Sequence, residues 1–436
     1  MVISSRKTTR YSCAKSHSDI HIRVSSYAIS IHVEGHTFCR LDLEGRPVSI
    51  QRPEGIYWRG LDNRVVLLEW GGGPYLHRRR RHWLSEAECE VLFHTLHQTM
   101  QGVVRAAESG QVQVEIDDRA DPLVRCVARE WVDRVRHWDP ERLYAEQRRF
   151  ARVYRPIAIL PPDQYLAVVV QTVYGCPWNA CSFCSFYKDR SFRIRTEDEV
   201  ESHLSGIMEF FGAGMRMRKT VFLGDANALS MPQTQLLSTM ERIRTRLPVL
   251  PEGLTPQERV EWRRSHLGAL EGFYAFMDVF TGDHRSVSEF RELREHGMQR
   301  IYLGAEAGDN DLLRLLNKPA TVEQLLTTVQ RIKAGGLRVG VIFLLGVGGQ
   351  RFAPRHEEAI LRVCRKMPLQ AGDIIYLSPL VLPPGNAYAE WLERHGIPIP
   401  TMEEMAEQER QLASALRRYL PPDVRVAPYD IQGFIY

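Results

Sequence analysis

The chain has 436 residues and a mass of 50.2 kDa, and 44% of its residues are hydrophobic and 25% are charged. These fractions are typical of a globular protein and exclude a collagen-like or low-complexity chain. The net charge of +4 arises in residues 1–160, which hold 25 Lys and Arg against 20 Asp and Glu. We find no run of about 18 apolar residues, so we expect no transmembrane helix and a cytoplasmic protein.

The N-terminal third of the chain predicts two regions. Residues 1–18 are basic and rich in Ser and Thr, which indicates a disordered tail, with an organelle transit peptide as the alternative. Residues 19–155 predict an α+β accessory domain. Its short alternating segments predict strands at Ile20–Val24, Tyr27–Val33 and Val65–Trp70, followed by a helix that Ser85 caps and a second helix at Pro122–Trp138.

In residues 156–385, buried strand segments alternate with amphipathic helices. Among these elements we predict strands at Phe273–Phe280 and Arg338–Leu345 and a helix at Val322–Ala334. Six β-α units predict a parallel sheet, and six are fewer than the eight of a closed TIM barrel. The predicted fold class is therefore α/β, a partial (β/α)6 TIM-like barrel. Residues 386–436 predict a C-terminal helical extension with an aromatic tail.

Three of the eight cysteines, Cys176, Cys181 and Cys184, are clustered with the spacing C-x4-C-x2-C. Three thiolates are an odd number for disulfides and one short of a structural zinc site. An incomplete set of this kind suits a [4Fe–4S] cluster with one open iron, and an unusual zinc site is the alternative. The cysteines follow the first strand of the predicted barrel, at the end where such folds carry their active sites.

The segment from Gly175 to Tyr187 resembles the cluster loop of the radical SAM superfamily, in a variant form with one extra residue between the first two cysteines. The resemblance implies that Cys176, Cys181 and Cys184 bind a [4Fe–4S] cluster whose fourth iron S-adenosylmethionine (SAM) chelates. Phe183 occupies the aromatic position directly before the last cysteine. The implied activity is reductive cleavage of SAM to a 5′-deoxyadenosyl radical, which abstracts hydrogen from a substrate that the sequence does not identify.

The same resemblance implies further cofactor-binding residues at the ends of later strands. They are Phe183 and Tyr187 in the cysteine loop, Gly224, Asp225 and Asn227 after strand two, Glu306 after strand four and Gly346 after strand five. Asp225 and Glu306 stand where the family places acids that contact the methionyl amino group and the ribose. Alternatives are a helix cap for Asp225 and an ion pair for Glu306.

The expected partners are a small-molecule substrate, an electron donor such as a flavodoxin or ferredoxin, and no membrane. The basic N-terminal region, with its run His77–His82, supports a tRNA-modifying radical SAM enzyme as an alternative. The isoelectric point of 8.6 and the lack of a recognisable RNA-binding motif argue against that alternative. A second alternative is a haem or metal chaperone that uses the same scaffold without catalysis.

Overall fold

A computed structural model of the chain describes residues 20–33, 37–70, 80–117, 121–266 and 268–436. The predicted tail at 1–18 and half of the basic run, residues 77–79, lie outside these ranges. The chain divides into two compact units. The first comprises the described part of Met1–Pro156 together with Ser205–Lys219 and Ile435–Tyr436, and the second comprises Ile157–Leu204 and Thr220–Phe434.

The first unit is built on an eight-stranded sheet in the order β7-β6-β5-β4-β3-β2-β1-β8, and its neighbours are antiparallel except for the β1–β8 pair. Its strands are β1 (Ile20–Val24), β2 (Ile29–Val33), β3 (Thr37–Leu41), β4 (Pro47–Arg52), β5 (Gly55–Arg59), β6 (Val65–Glu69), β7 (Arg81–Trp83) and β8 (Gln113–Ile116). Its helices are α1 (Glu86–Glu108), α2 (Pro122–Arg136) and α3 (Pro140–Val153). Alternate strand residues such as Ile22, Val24, Ile29 and Ile31 are buried in one hydrophobic core with these helices.

The start of α1 confirms the predicted cap. The Ser85 side chain accepts a hydrogen bond from the Glu88 backbone N–H, and the Glu88 carboxylate accepts one from the Ser85 N–H. This reciprocal pair satisfies donors that a helix start leaves open.

The second unit is built on a seven-stranded, wholly parallel sheet whose strands follow chain order, β9-β12-β13-β14-β15-β16-β17. These strands are β9 (Ala167–Gln171), β12 (Thr220–Gly224), β13 (Phe273–Met277), β14 (Met298–Glu306), β15 (Arg338–Leu345), β16 (Ile374–Pro379) and β17 (Arg425–Pro428). A small antiparallel pair, β10 (Val173–Tyr174) and β11 (Arg193–Ile194), stands apart from this sheet.

Helices connect the parallel strands. They are α5 (Gln233–Arg246), α6 (Pro256–Ser265), α7 (Val279–Gly282), α8 (Val287–Glu295), α9 (Asn310–Leu315), α10 (Val322–Ala334), α11 (Gly349–Lys366), α12 (Ala387–Arg394) and α13 (Met402–Tyr419). Helix α4 (Glu197–Phe211) contains the boundary between the two units. The predicted α/β class with a parallel sheet is confirmed, since the strands run in one direction with helical connections. No helix within the described ranges has the length and apolar character needed to cross a membrane.

Several details differ from the sequence prediction, among them the following three in the second unit. The strand predicted at Phe273–Phe280 ends at Met277, because Asp278 caps α7 by accepting a hydrogen bond from the Thr281 N–H at 2.7 Å. Helix α6 was not predicted, since none of its residues is buried and it lacks the apolar period. Strand β17 was not predicted either, because four residues that end in Pro428 carry little strand signal.

A partly buried polar cluster lies near the amino-terminal ends of the parallel strands. The Asp163 carboxylate accepts hydrogen bonds from the Arg300 guanidinium at 2.6 Å, from the Tyr302 hydroxyl at 2.7 Å and from the Tyr376 hydroxyl at 2.6 Å. These contacts join the segment before β9 to β14 and β16. In parallel α/β barrels this end serves stability, and the opposite end carries the site.

Candidate active site

The three clustered cysteines lie in a loop at the carboxyl end of β9. The antiparallel pair β10–β11 closes the base of this loop, with Val173 opposite Ile194 and Tyr174 opposite Arg193. Gly175 has a φ of +72°, and a Cβ placed there would lie 3.0 Å from the backbone of Ser191. A glycine is therefore required where the two sides of the loop approach each other.

The cysteine loop is fastened to the turn that follows α9. The Asn317 side chain donates a hydrogen bond to the Ala180 carbonyl at 2.7 Å, and the Trp178 indole N–H donates to the Asn317 carbonyl at 2.9 Å. The Ser182 N–H donates to the Leu316 carbonyl at 3.0 Å. These bonds fix the backbone between the first and last cysteine.

The three cysteine side chains are partly buried. Burial raises the pKa of the Cys181 thiol to about 12, an effect that Lys318 opposes and that Glu306, Cys184 and Cys176 reinforce. Across the described ranges, no three His, Cys, Asp or Glu side chains are grouped closely enough to hold one metal ion. A [4Fe–4S] cluster makes a different demand, because each thiolate binds its own iron.

Asp225 follows β12 and binds the cysteine loop at two places. Its carboxylate accepts hydrogen bonds from the Gln171 side chain at 2.8 Å, from the Gly175 N–H at 3.2 Å and from the Arg190 guanidinium at 3.2 Å. Burial raises the pKa of Asp225, and the bond from Gln171 and the charge of Arg190 oppose that rise. The carboxylate thus connects the residue before Cys176 with a residue near the far end of the loop.

Asn227 lies two residues further along and is almost fully buried. Its side-chain NH2 group donates to the Asp278 carboxylate and, at 3.0 Å, to the Thr281 hydroxyl. Its Oδ1 atom is buried and has no hydrogen-bond partner in the structure. A buried acceptor of this kind is costly unless a donor reaches it.

Glu306 is the last residue of β14 and has a φ of +58°. Its carboxylate accepts a hydrogen bond from the Lys318 ammonium at 2.8 Å, and both side chains are largely buried. A Cβ on Gly304 would lie 2.4 Å from the Glu306 carboxylate, so a glycine there leaves room for this ion pair. A left-handed backbone at a residue other than glycine is uncommon and clusters at functional sites.

The remaining predicted residues complete this edge of the sheet. Gly224 is the last residue of β12, and its carbonyl accepts a hydrogen bond from the Thr172 N–H at 2.8 Å. Gly346 has a φ of +77° and donates its N–H to the Gln408 side chain at 2.9 Å. Phe183 is partly buried, and Tyr187 is buried, which raises the pKa of its hydroxyl well above the ordinary value.

The topology brings the predicted site residues to one edge. They occupy the loop after β9 and the ends of β12, β14 and β15, which are parallel strands of one sheet, with β13 between β12 and β14. Sequence reasoning missed Gln171, Arg190 and Lys318. No spacing rule connects these residues to their partners, because the contacts are made only when separate loops meet.

The comparison with protein families identifies the domain. Residues 170–359 match the model of the radical SAM superfamily. The predicted radical SAM domain is therefore confirmed for these residues. Members of this superfamily use a [4Fe–4S] cluster and SAM, so the predicted cofactor type is confirmed for the domain.

Individual relatives are distant. The chain is 24% identical over 307 residues to an uncharacterized methyltransferase of Pyrococcus horikoshii. This alignment covers 64% of this chain and 58% of the relative. One similar solved structure is coproporphyrinogen III oxidase from Escherichia coli, with a TM-score of 0.41 and 13% identity over 61% of this chain and 54% of that one. Another is Elp3 from Methanocaldococcus infernus, with a TM-score of 0.39 and 16% identity over 60% of this chain and 56% of that one. The chain thus spans somewhat more than half the length of each of these proteins.

The residues present fit the two groups. Cys176, Cys181 and Cys184 supply three sulfur ligands, the donor set that leaves one iron of a cube open. The unpartnered Oδ1 of Asn227 supplies an acceptor for a ligand that carries N–H or O–H donors, such as the amino group of SAM.

Removal of the Asp225 carboxylate tests its connection to the cysteine loop. We expect the Asp225→Ala variant to release iron to a chelator about 10-fold or more faster than the wild type, because groups that orient metal ligands have effects of this size. The loss of the bonds to Gly175 and Arg190 is the physical cause. Iron release can be followed by absorbance under anaerobic conditions.

The matched control is Asp189→Ala, because Asp189 also pairs with Arg190, at 3.1 Å, but is more than half exposed. We expect its iron release to match the wild type. Equal release rates for Asp225→Ala and the wild type would show that the carboxylate does not hold the loop.

Proposed function

We propose that this chain is a radical SAM enzyme with a single [4Fe–4S] cluster bound by Cys176, Cys181 and Cys184. The observation that carries the proposal is the coincidence of the matched domain with three cysteines in an anchored loop at the carboxyl end of β9. When bound, the reduced cluster supplies the electron that cleaves SAM to a 5′-deoxyadenosyl radical, which abstracts hydrogen from a small-molecule substrate.

The chain's own residues are proposed to bind and orient SAM. Asn227, Asp225, Glu306 and Gly346 are proposed to contact SAM, and Phe183 and Tyr187 to line its site. The Asn227 Oδ1 atom supports this assignment, since a donor on SAM would satisfy it. Asp225 keeps lone pairs beyond the three hydrogen bonds that it accepts within the chain, because an ionised carboxylate has about four acceptor sites.

The reductant is proposed to be a flavodoxin or ferredoxin. The cysteines are partly exposed, and Trp178, two residues after Cys176, keeps 37% of its surface open to solvent. A one-electron donor can therefore approach the cysteine loop directly.

The products of SAM test the proposal. We expect the anaerobically reconstituted protein, reduced with dithionite, to convert SAM slowly to 5′-deoxyadenosine even without substrate. Liquid chromatography with mass detection measures that product. A protein that binds the cluster and SAM but forms no 5′-deoxyadenosine would contradict the proposed enzyme and support a chaperone.

Methyl transfer is a second candidate, because the Pyrococcus horikoshii relative is named as a methyltransferase. The same assay distinguishes the two reactions. Methyl transfer from SAM leaves S-adenosylhomocysteine, whereas reductive cleavage leaves methionine and 5′-deoxyadenosine. We expect the second pair of products.

A further inference from the structure

The C-terminal segment beyond the sixth parallel strand contacts two separate turns of the candidate site. The Asn386 side chain donates a hydrogen bond through Nδ2 to the carbonyl oxygen of Phe183 in the cysteine loop, at 3.1 Å. The Tyr388 hydroxyl accepts a hydrogen bond from the N–H of Gly348, at 2.8 Å. Gly348 belongs to the glycine turn after β15, which begins at Gly346. Two residues at the start of α12 thus join the cysteine loop to the glycine turn.

The start of α12 is itself held firmly. The Asn386 Oδ1 atom caps the helix by accepting hydrogen bonds from the backbone N–H groups of Tyr388 at 3.0 Å and Ala389 at 3.2 Å. One amide group therefore uses its oxygen for the helix and its nitrogen for the cysteine loop. Tyr388 is 1% exposed, and its ring is parallel to that of Trp391, with centroids 6.3 Å apart.

A second helix supports the same turn. The Gly346 N–H donates to the Gln408 side chain of α13 at 2.9 Å, and the Gln408 NH2 group donates to Glu357 of α11 at 2.9 Å. Gly346 and Gly348 both have positive φ values, 77° and 82°, so this backbone conformation suits glycine. Hydrogen bonds from outside the turn select one of the many conformations that glycines allow.

We propose that Asn386 and Tyr388 are positioning residues that set the spacing between the cysteine loop and the glycine turn, and hence the geometry in which SAM is bound. The inference rests on the proposed function, because both turns are the expected contacts of SAM. Neither side chain needs to touch the cofactor. Each acts through a backbone group, the carbonyl of Phe183 or the N–H of Gly348.

Three substitutions separate this role from helix stability. Asn386→Asp and Asn386→Ser both keep an oxygen that caps α12, and both lose the NH2 donor to Phe183. Tyr388→Phe keeps the buried ring and loses the acceptor for Gly348. Tyr419→Phe is the matched control, because the same hydroxyl is removed from a side chain of α13 that is 57% exposed.

The first measurement uses the chain without cluster or SAM. We expect hydrogen–deuterium exchange to rise in the segment 176–187 for both Asn386 variants and at the glycine turn for Tyr388→Phe. The exchange of α12 itself should stay unchanged in the Asn386 variants, since the cap is kept. Unchanged exchange in both turns would overturn the proposal without reference to any cofactor.

The second measurement uses the reconstituted protein. We expect each variant to keep about four irons per chain, while the SAM concentration that half-saturates the change in the cluster's EPR spectrum rises about 3- to 10-fold, the effect of losing one net hydrogen bond. In the double variant Asn386→Ser/Tyr388→Phe, the half-saturating SAM concentration should rise by less than the product of the two single effects. The reason is that the loss of either hydrogen bond alone already allows the spacing between the two turns to change. Independent, multiplicative effects would show two unrelated contacts and contradict a joint role.

The two measurements separate the possible failures. A wild-type protein that binds no cluster would overturn the proposed function, whereas its exchange data would still report on the two hydrogen bonds. Wild-type binding of SAM by all three variants would overturn the positioning role and leave the proposed function intact.

Discussion

Replacement of Cys181 by alanine is expected to reduce iron from about four atoms per chain to less than one and to lower 5′-deoxyadenosine formation at least about 100-fold. The reason is that each of the three thiolates is proposed to hold a separate iron, so the loss of one leaves a second iron open. Removal of groups that only orient metal ligands already costs about 10- to 100-fold, and loss of a ligand exceeds that range. Iron and sulfide analysis with EPR of the reduced protein provides the measurement.

The matched control is Cys126→Ala. Cys126 is also a partly buried free cysteine, but it lies on α2 of the first unit, where its thiol donates a hydrogen bond to Glu130 at 3.0 Å. We expect this variant to keep its iron and its SAM cleavage. The Cys176→Ala and Cys184→Ala variants should behave as Cys181→Ala does.

Either of two results would contradict the proposed cluster site. Cys181→Ala protein that keeps four irons and cleaves SAM would place the cluster elsewhere. A wild-type protein that retains one zinc and no iron would instead support the zinc alternative. In both cases the cysteine loop would need another interpretation.

The cysteine loop shows how far sequence reasoning reaches at this site. The spacing of Cys176, Cys181 and Cys184 is local, so it is visible in the sequence, and the preceding strand places the loop at the correct end of the sheet. Asp225 and Glu306 were predicted because the family resemblance assigns acids to the ends of these two strands. Lys318 and Asn386 could not be found in this way, since their partners are 12 and 203 residues away. Their contacts depend on how loops meet after folding.

The same difference between local signals and long-range contacts applies to the prediction of the fold. Helices and strands with strong apolar periods, such as α10 and β15, were predicted with the bounds that the structure shows. Strand β17 forms because it pairs with β16, since its own four residues carry little strand signal. The start of α6 carries a capping box formed by Thr255 and Glu258, a local signal that is independent of apolar periodicity.

A buried charge in the first unit leads to the largest expected loss of stability. The Arg46 side chain is 2% exposed and bonds to the Asp42 carboxylate at 2.9 Å, the Glu146 carboxylate at 2.8 Å and the Phe210 carbonyl at 2.9 Å. Its guanidinium carbon also lies 4.8 Å from the centre of the Phe210 ring. One cation therefore compensates two buried carboxylates.

We expect Arg46→Met to lower the free energy of unfolding of the first unit by about 3–5 kcal/mol, because removal of one partner leaves buried charges uncompensated. Urea unfolding, followed by tryptophan fluorescence, should show a midpoint lowered by about 1 M or more. Arg23→Met is the matched control. Arg23 pairs with Asp117 at 2.8 Å, but its side chain is 55% exposed, and the loss of such a pair costs about 1 kcal/mol or less.

The loss in Arg46→Met should depend on pH. Burial raises the pKa of Asp42, and the charge of Arg46 is the largest influence that lowers it, so the variant should raise this pKa further. A carboxyl with a higher pKa in the folded state binds more protons when folded, and stability then falls as pH rises above its ordinary pKa of about 4. The deficit should therefore shrink when the pH is lowered from 7 toward 5. A deficit equal to that of Arg23→Met, or one that grows on acidification, would show that Arg46 does not compensate these carboxylates.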